Sequence, residues 1–172
     1  YLGMEEEVTV HAFDSFEGLP ELTSDDVATP DFEKGQYEHP VDQFEATLRA
    51  KAIPTEKTRI VKGWFNDSCT PETAREHELK KAAVVWIDAD LYSSTKTALT
   101  FITDLLQDGT ILIFDDWFSH RGSPYAGEQR AFREWLTTIE DNYSVQEYQR
   151  ESWKRMSFIV SRKPSKFEID GA

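Results

Sequence analysis

The sequence predicts an α/β fold, a mostly parallel sheet with helices on both faces, closed by a C-terminal antiparallel hairpin. Three observations carry this. Short β-prone runs at Val8 to Phe13, Thr58 to Gly63, Ala82 to Ile87 and Thr110 to Phe114 are separated by helix-length segments with apolar stripes. The run from Ala82 to Ile87 is continuously apolar, as in a strand buried on both faces of a parallel sheet. The last two β-prone runs, around Val145 to Tyr148 and Trp153 to Val160, have only a polar turn between them and should pair antiparallel.

The first strand stops at Asp14-Ser15-Phe16-Glu17-Gly18-Leu19-Pro20, where Gly18 and Pro20 force a loop. Residues 21 to 40 hold Asp25, Asp26, Pro30, Asp31, Gly35 and Pro40 without periodicity, which predicts a lid or mobile loop. Val41, Phe44, Ala46, Leu48 and Ala52 mark a helix from Val41 to Ile53 that Pro54 ends. The strand at Thr58 runs through Gly63 into Trp64-Phe65-Asn66-Asp67. Thr70-Pro71-Glu72 has the order of an N-cap followed by proline at the first helical position, predicting a helix to about Lys80. Ser93-Ser94-Thr95 should cap the next helix, striped by Ala98, Leu99, Phe101, Ile102, Leu105 and Leu106 and stopped by Asp108-Gly109. After a polar loop from Trp117 to Gly127, Ala131, Phe132, Trp135, Leu136 and Ile139 repeat at helical spacing.

The length of 172 residues suits one domain spanning the whole chain. A net charge of −13 argues against a nucleic-acid backbone as partner. The single Cys69 forms no internal disulfide, no run reaches membrane-spanning length, and residues 1 to 10 lack the layout of a signal peptide. These features read as a cytoplasmic protein with no membrane partner. The first residue is Tyr1, not Met, so the sequence reads as a piece of a longer chain.

Two strands end in acids, at Ile87-Asp88-Ala89-Asp90 and at Phe114-Asp115-Asp116, with one helix-length segment between them. In a parallel sheet both finish at one edge, where open α/β sheets bind ligands. Converging carboxylates repel unless a cation or protons neutralise them, which points to a divalent metal. The plainer reading is that they are solvated loop acids that cap helices, and the acids alone leave both open.

Four blocks in order, Phe13-Asp14-Ser15-Phe16-Glu17-Gly18-Leu19-Pro20, Val61-Lys62-Gly63-Trp64-Phe65, Ile87-Asp88-Ala89-Asp90-Leu91-Tyr92-Ser93-Ser94-Thr95-Lys96 and Phe114-Asp115-Asp116-Trp117, resemble the macrocin O-methyltransferase family. The resemblance implies a Rossmann-like methyltransferase sheet and an S-adenosylmethionine-dependent, Mg²⁺-assisted enzyme. Its substrate would be a small-molecule hydroxyl, such as one on a natural-product sugar. It puts Asp14, with Ser15 beside it, at the cofactor ribose and Gly63, Trp64 and Phe65 near the adenine. Asp88, Asp115 and Asp116 fall on metal positions, and Asp88 also borders the cofactor. The glycine-rich turn that wraps the methionine end of the cofactor in this family would precede Tyr1. The sheet is therefore expected to be truncated at the N-terminus, leaving an apolar edge that direct strand pairing or a second copy, as a homodimer, would cover.

For the proton of the acceptor hydroxyl, Asp88 or Asp90 is the expected base, with His120 behind them. Tyr92, Trp117 and Tyr125 lie beside the acids in sequence and could stack on a substrate ring, although Trp117 could equally cover the sheet edge. Lys96 is placed on the solvent face, and Glu128 either reaches the rim or merely favours its helix dipole. Two other readings exist: a haloacid-dehalogenase-like phosphatase with Asp88 as nucleophile and Asp90 as acid, and a cofactor-free scaffold.

Overall fold

The computed structural model describes residues 8–26 and 32–164, and among these are six strands, five α-helices and three short 3-10 helices. The middle of the expected lid, residues 27–31, and the first seven residues lie outside the described residues. The chain divides into two compact units, Tyr1–Leu22 with Phe32–Glu78 and Thr23–Asp31 with Leu79–Ala172.

In the first unit, β1 (Val10–Asp14) pairs in parallel with β2 (Thr58–Lys62), Asp14 opposite Lys62. Between them runs α1 (Val41–Ala50), and α2 (Phe65–Ser68) and α3 (Pro71–Glu76) follow β2. The loop after β1 is tied to the later part of its own unit, since Leu19 N–H donates to Gln36 O and Gly35 N–H to Leu19 O, both at 2.9 Å. Gly18 permits this approach. It has φ +77°, and a Cβ there would lie 2.5 Å from Gly35 O. The Thr70 side chain caps α3 by accepting from Thr73 N–H, as its sequence predicts. The helix ends at Glu76, short of Lys80, because Arg75, Glu76, His77 and Glu78 offer no apolar side chain to bury and Glu78 turns to φ +50°.

In the second unit the strand order is β3-β4-β6-β5, with β3 (Val84–Ile87) parallel to β4 (Ile111–Phe114) and Ile87 opposite Phe114. The hairpin of β5 (Tyr143–Gln149) and β6 (Met156–Arg162) is antiparallel, and β6 lies antiparallel to β4. Leu112, Phe114, Phe158 and Val160 are buried with residues of α4 (Tyr92–Ile102) and α5 (Gly127–Ile139), notably Leu99, Ala131, Phe132 and Trp135. Burying each large apolar side chain here contributes roughly 1.5–3 kcal/mol.

Three further expectations need correction. β3 is not buried on both faces: it is an edge strand of its sheet, and Val84 and Trp86 are 57% and 53% exposed. β1 and β3 do not pair, being in separate sheets. The serines at the start of α4 do not cap it. Asp26 does, its Oδ1 accepting from Ser93 N–H at 3.0 Å while Thr23 holds its Oδ2 through N–H and hydroxyl at 3.0 and 2.6 Å.

Candidate active site

The parallel register that sets Ile87 opposite Phe114 also brings the acids after them to one rim, and Asp115 N–H extends the ladder by donating to Ile87 O at 2.9 Å. One oxygen from each of Asp88, Asp90 and Asp116 lies within 4.8 Å of the others. Asp90 takes φ +53°, a left-handed backbone that aspartate tolerates better than most residues. His120, also at positive φ, sets Nε2 3.0 Å from the Asp90 carbonyl. A carbonyl only accepts, so Nε2 carries the hydrogen. The ring lies against the backbone of Gly127 (φ +52°), where a Cβ would come within 2.2 Å of it.

The rim is crowded with negative charge, with Asp90 and Asp116 buried and Asp88 at its exposed lip. Burial and the charges of Asp115 and Asp116 push Asp88 up to about 6, against the pull of Lys154 and Arg155. Burial, then Asp116 and Asp88, push Asp90 up to about 7. Asp116 is 2% exposed. Its Oδ1 accepts from Lys154 Nζ at 2.6 Å and Ser119 Oγ at 2.7 Å, while its Oδ2 is buried with no hydrogen-bond partner. Asp115 is held by Arg155 and, at 3.4 Å, by Lys154. Glu128, in the first turn of α5, accepts from Asp116 N–H through Oε2 at 3.0 Å, and its Oε1 is buried without a partner. Burial raises Glu128 well above the ordinary glutamate range, as does the charge of Asp116.

This donor set fits a hard divalent cation. Mg²⁺ takes carboxylate oxygens at about 2.0–2.1 Å, so ligand oxygens sit at most ~4.2 Å apart, a small side-chain rotation from the spacing found. Asp116 Oδ2 is buried without a hydrogen-bond partner, and Asp88 and Asp90 gain from any charge that neutralises them.

At the end of β1, Asp14 is exposed, and its Oδ1 accepts from Phe16 N–H in a local turn. Ser15 is buried and donates to Gly18 O at 3.2 Å while accepting from Glu17 N–H at 3.1 Å. Gly63 N–H donates to Asp14 O at 2.9 Å, and Trp64 and Phe65, both half-buried, turn the chain into α2.

Residues 3–147 match the model of the macrocin O-methyltransferase family, TylF. The chain belongs to this family. A 4'-O-methyltransferase of 8-demethyl-8-(2,3-dimethoxy-alpha-L-rhamnosyl)-tetracenomycin-C from Streptomyces olivaceus is 34% identical over 110 residues, 60% of this chain and 40% of that protein. The mycinamicin III 3''-O-methyltransferase of Micromonospora griseorubida is 30% identical over 116 residues, 63% of this chain and 44% of that protein. The chain thus spans less than half the length of these two relatives. Among solved structures, the O-methyltransferase NovP superposes with a TM-score of 0.67 at 19% identity, over 90% of this chain and 60% of its own. The calicheamicin methyltransferase CalS11 gives 0.66 at 22%, over 88% and 60%. Both likenesses establish the Rossmann-like fold.

For a macrocin O-methyltransferase family member, the rim gathers Asp88, Asp90 and Asp116 around one point, while Asp115 faces the two basic side chains. Of the three aromatics expected near a substrate, Tyr92 is buried, donating to Glu134 at 2.6 Å with Arg130 stacked 3.9 Å over its ring. Trp117 packs among Phe114, Phe132 and Phe158 at centroid distances of 5.1, 5.2 and 4.7 Å. Tyr125 is the open one, 76% exposed. Lys96 lies on the exposed side of α4, 3.5 Å from Glu134. Lys154 and Arg155 escaped sequence reasoning, although the hairpin register held the signal. Met156 pairs with Phe114, so the residues before Met156 fall opposite the acids after Phe114. No helix among the described residues is long and apolar enough to cross a membrane.

Proposed function

We propose that this chain carries the catalytic rim of an S-adenosylmethionine-dependent, Mg²⁺-assisted O-methyltransferase acting on a hydroxyl of a natural-product sugar. The observation that carries the reading is the trio of Asp88, Asp90 and Asp116 around a buried, unpartnered carboxylate oxygen. Family membership supports methyl transfer, and the tetracenomycin and mycinamicin enzymes support a glycosylated acceptor. The phosphatase reading has no such support.

S-adenosylmethionine supplies a methyl group on a sulfonium. The acceptor oxygen forms a bond to that methyl carbon as the carbon–sulfur bond breaks, its electron pair staying on sulfur as a neutral thioether, and the hydroxyl proton leaves to a base. A divalent cation held by Asp88, Asp90 and Asp116 would supply Lewis-acid chemistry there, lowering the pKa of the hydroxyl. Asp90, poised near neutrality, takes the proton, with His120 bracing its carbonyl. Asp88 and Asp116 fix the direction of the acceptor, and orientation of this kind reaches effective molarities of roughly 10⁵ M or more. Asp14 keeps Oδ2 for the ribose hydroxyls of the cofactor, and Gly63, Trp64 and Phe65 offer the adenine a backbone edge and two aromatic faces. Tyr125 is the ring best placed to stack on the acceptor.

Calorimetric titration with S-adenosylmethionine, with and without Mg²⁺, followed by mass spectrometry of a rhamnosylated polyketide acceptor, tests the reading. A mass gain of one methyl that chelation with EDTA removes is the expected result. Methylation undiminished by EDTA would refute the metal-assisted step, and no heat of cofactor binding under either condition would refute the reading for this chain.

A further inference from the structure

We infer that Glu128 is a positioning residue for the acid rim, joining the loop after β3 to the loop after β4 through their backbones. The inference rests on the metal-assisted reading above. Glu128 Oε2 accepts from Asp116 N–H at 3.0 Å, and the Ala89 amide, between Asp88 and Asp90, also favours its charge. One carboxyl thus holds the main chain at Asp116 and lies near that between Asp88 and Asp90. The side chain is 1% exposed, and one of its oxygens has no partner.

Service to the helix dipole does not account for this arrangement. An exposed acid in the first turn of α5 would meet the dipole equally well without losing its hydration. What burial adds is a fixed acceptor at a defined reach, and the rim needs one. The β3 loop passes through a left-handed Asp90, a conformation that persists only where its surroundings impose it. Gly127, the residue before Glu128, receives the His120 ring that holds the Asp90 carbonyl. Two consecutive residues of α5 therefore set both loops, Gly127 through His120 and Glu128 directly.

Reach and charge separate in three variants. Glu128→Gln keeps the length and an acceptor oxygen but loses the charge. Glu128→Asp keeps the charge but withdraws the carboxylate by about 1.5 Å, beyond hydrogen-bond range of the Asp116 amide. Glu128→Ala removes both. Mn²⁺ is the probe, with free ion followed by electron paramagnetic resonance and no turnover required. For a residue that orients ligands, Glu128→Asp and Glu128→Ala should lose on the order of 10- to 100-fold in Mn²⁺ affinity, with S-adenosylmethionine affinity retained, and Glu128→Gln should stay close to the unaltered chain. If Glu128→Ala does not fold, the Asp and Gln pair carries the test alone. Equal affinity in those two variants, or weaker binding by Gln than by Asp, overturns the role assigned here and leaves the metal-assisted reading standing. An unaltered chain that binds no Mn²⁺ overturns both.

Discussion

The two parallel strand pairs end in opposite ways. At the end of β1, Asp14 and Ser15 satisfy themselves on Phe16, Glu17 and Gly18, within three residues, and Asp14 stays in solvent. At the ends of β3 and β4 the acids are crowded, and Asp116 and Glu128 are buried with an oxygen each left over. Their partners come from Ser119, Glu128, Lys154 and Arg155, the last 40 residues beyond the aspartate it meets. The first rim is a finished local turn with one acceptor to spare, suited to recognising hydroxyls. The second is a charge imbalance held by the rest of its unit, suited to drawing in a cation.

Breaking the second rim should have the largest effect. Outer partners of metal ligands are worth roughly 10- to 100-fold in affinity, so removing a ligand itself, Asp116→Asn, should cost more than about 100-fold in Mn²⁺ affinity by resonance titration. Cofactor affinity should hold. Asp14→Ala should do the reverse. Losing a charge-assisted hydrogen bond of roughly 1.5–3 kcal/mol weakens S-adenosylmethionine binding by about 10- to 100-fold in calorimetry, with Mn²⁺ affinity unchanged. Were both affinities to fall together in either variant, the two rims would not be the separate instruments described.

Gly127→Ala sharpens the comparison from within. A non-glycine residue in the left-handed region costs of order 1–3 kcal/mol, and the added Cβ must also displace the His120 ring. Thermal unfolding should register it as a lowered midpoint, together with reduced methyl transfer because the Asp90 carbonyl loses its brace.

The pH response should differ in sign from ordinary acid denaturation. Asp88 and Asp90 stand at about 6 and 7 in the folded chain, against 3.8 without its surroundings. Between these values the folded chain binds more protons than the unfolded one, so their contribution is complete below pH ~4 and disappears as pH climbs through 6 to 7. Melting of the metal-free protein at pH 5 and 7.5 should show this loss. Asp90→Asn, which tolerates the same left-handed backbone, should flatten it, and Mg²⁺ should restore stability at the higher pH. Lys154→Ala should have the smallest effect, a few-fold tighter Mn²⁺ binding as a competing ammonium leaves Asp116.

Local signals in the chain account for most of the elements. Thr70-Pro71 starts α3, Ala131, Phe132, Trp135 and Ile139 are the buried stripe of α5, and the terminal hairpin forms where its polar turn predicts. What escaped sequence reading depends on distant partners. Asp26 caps α4 from 67 residues away, displacing Ser93 from that role. The exposure of Val84 and Trp86 follows from β3 being an edge strand, which a six-residue apolar run does not disclose. At the rim, the acids were legible as a group because strand ends in parallel register must converge. That Asp115 meets both Lys154 and Arg155 while Asp116 is shared between Lys154 and the other acids is decided by side-chain packing, and neither periodicity nor spacing encodes it.

The hairpin is more than a border to the sheet. Lys154 and Arg155 reach the acids only once β6 has aligned beside β4, a pairing between segments about 40 residues apart. During synthesis the four aspartates leave the ribosome well before their counter-charges, so the nascent chain carries them unbalanced. The rim therefore matures late, and a ribosome stalled before residue 154 would present a half-made site that repels its own carboxylates.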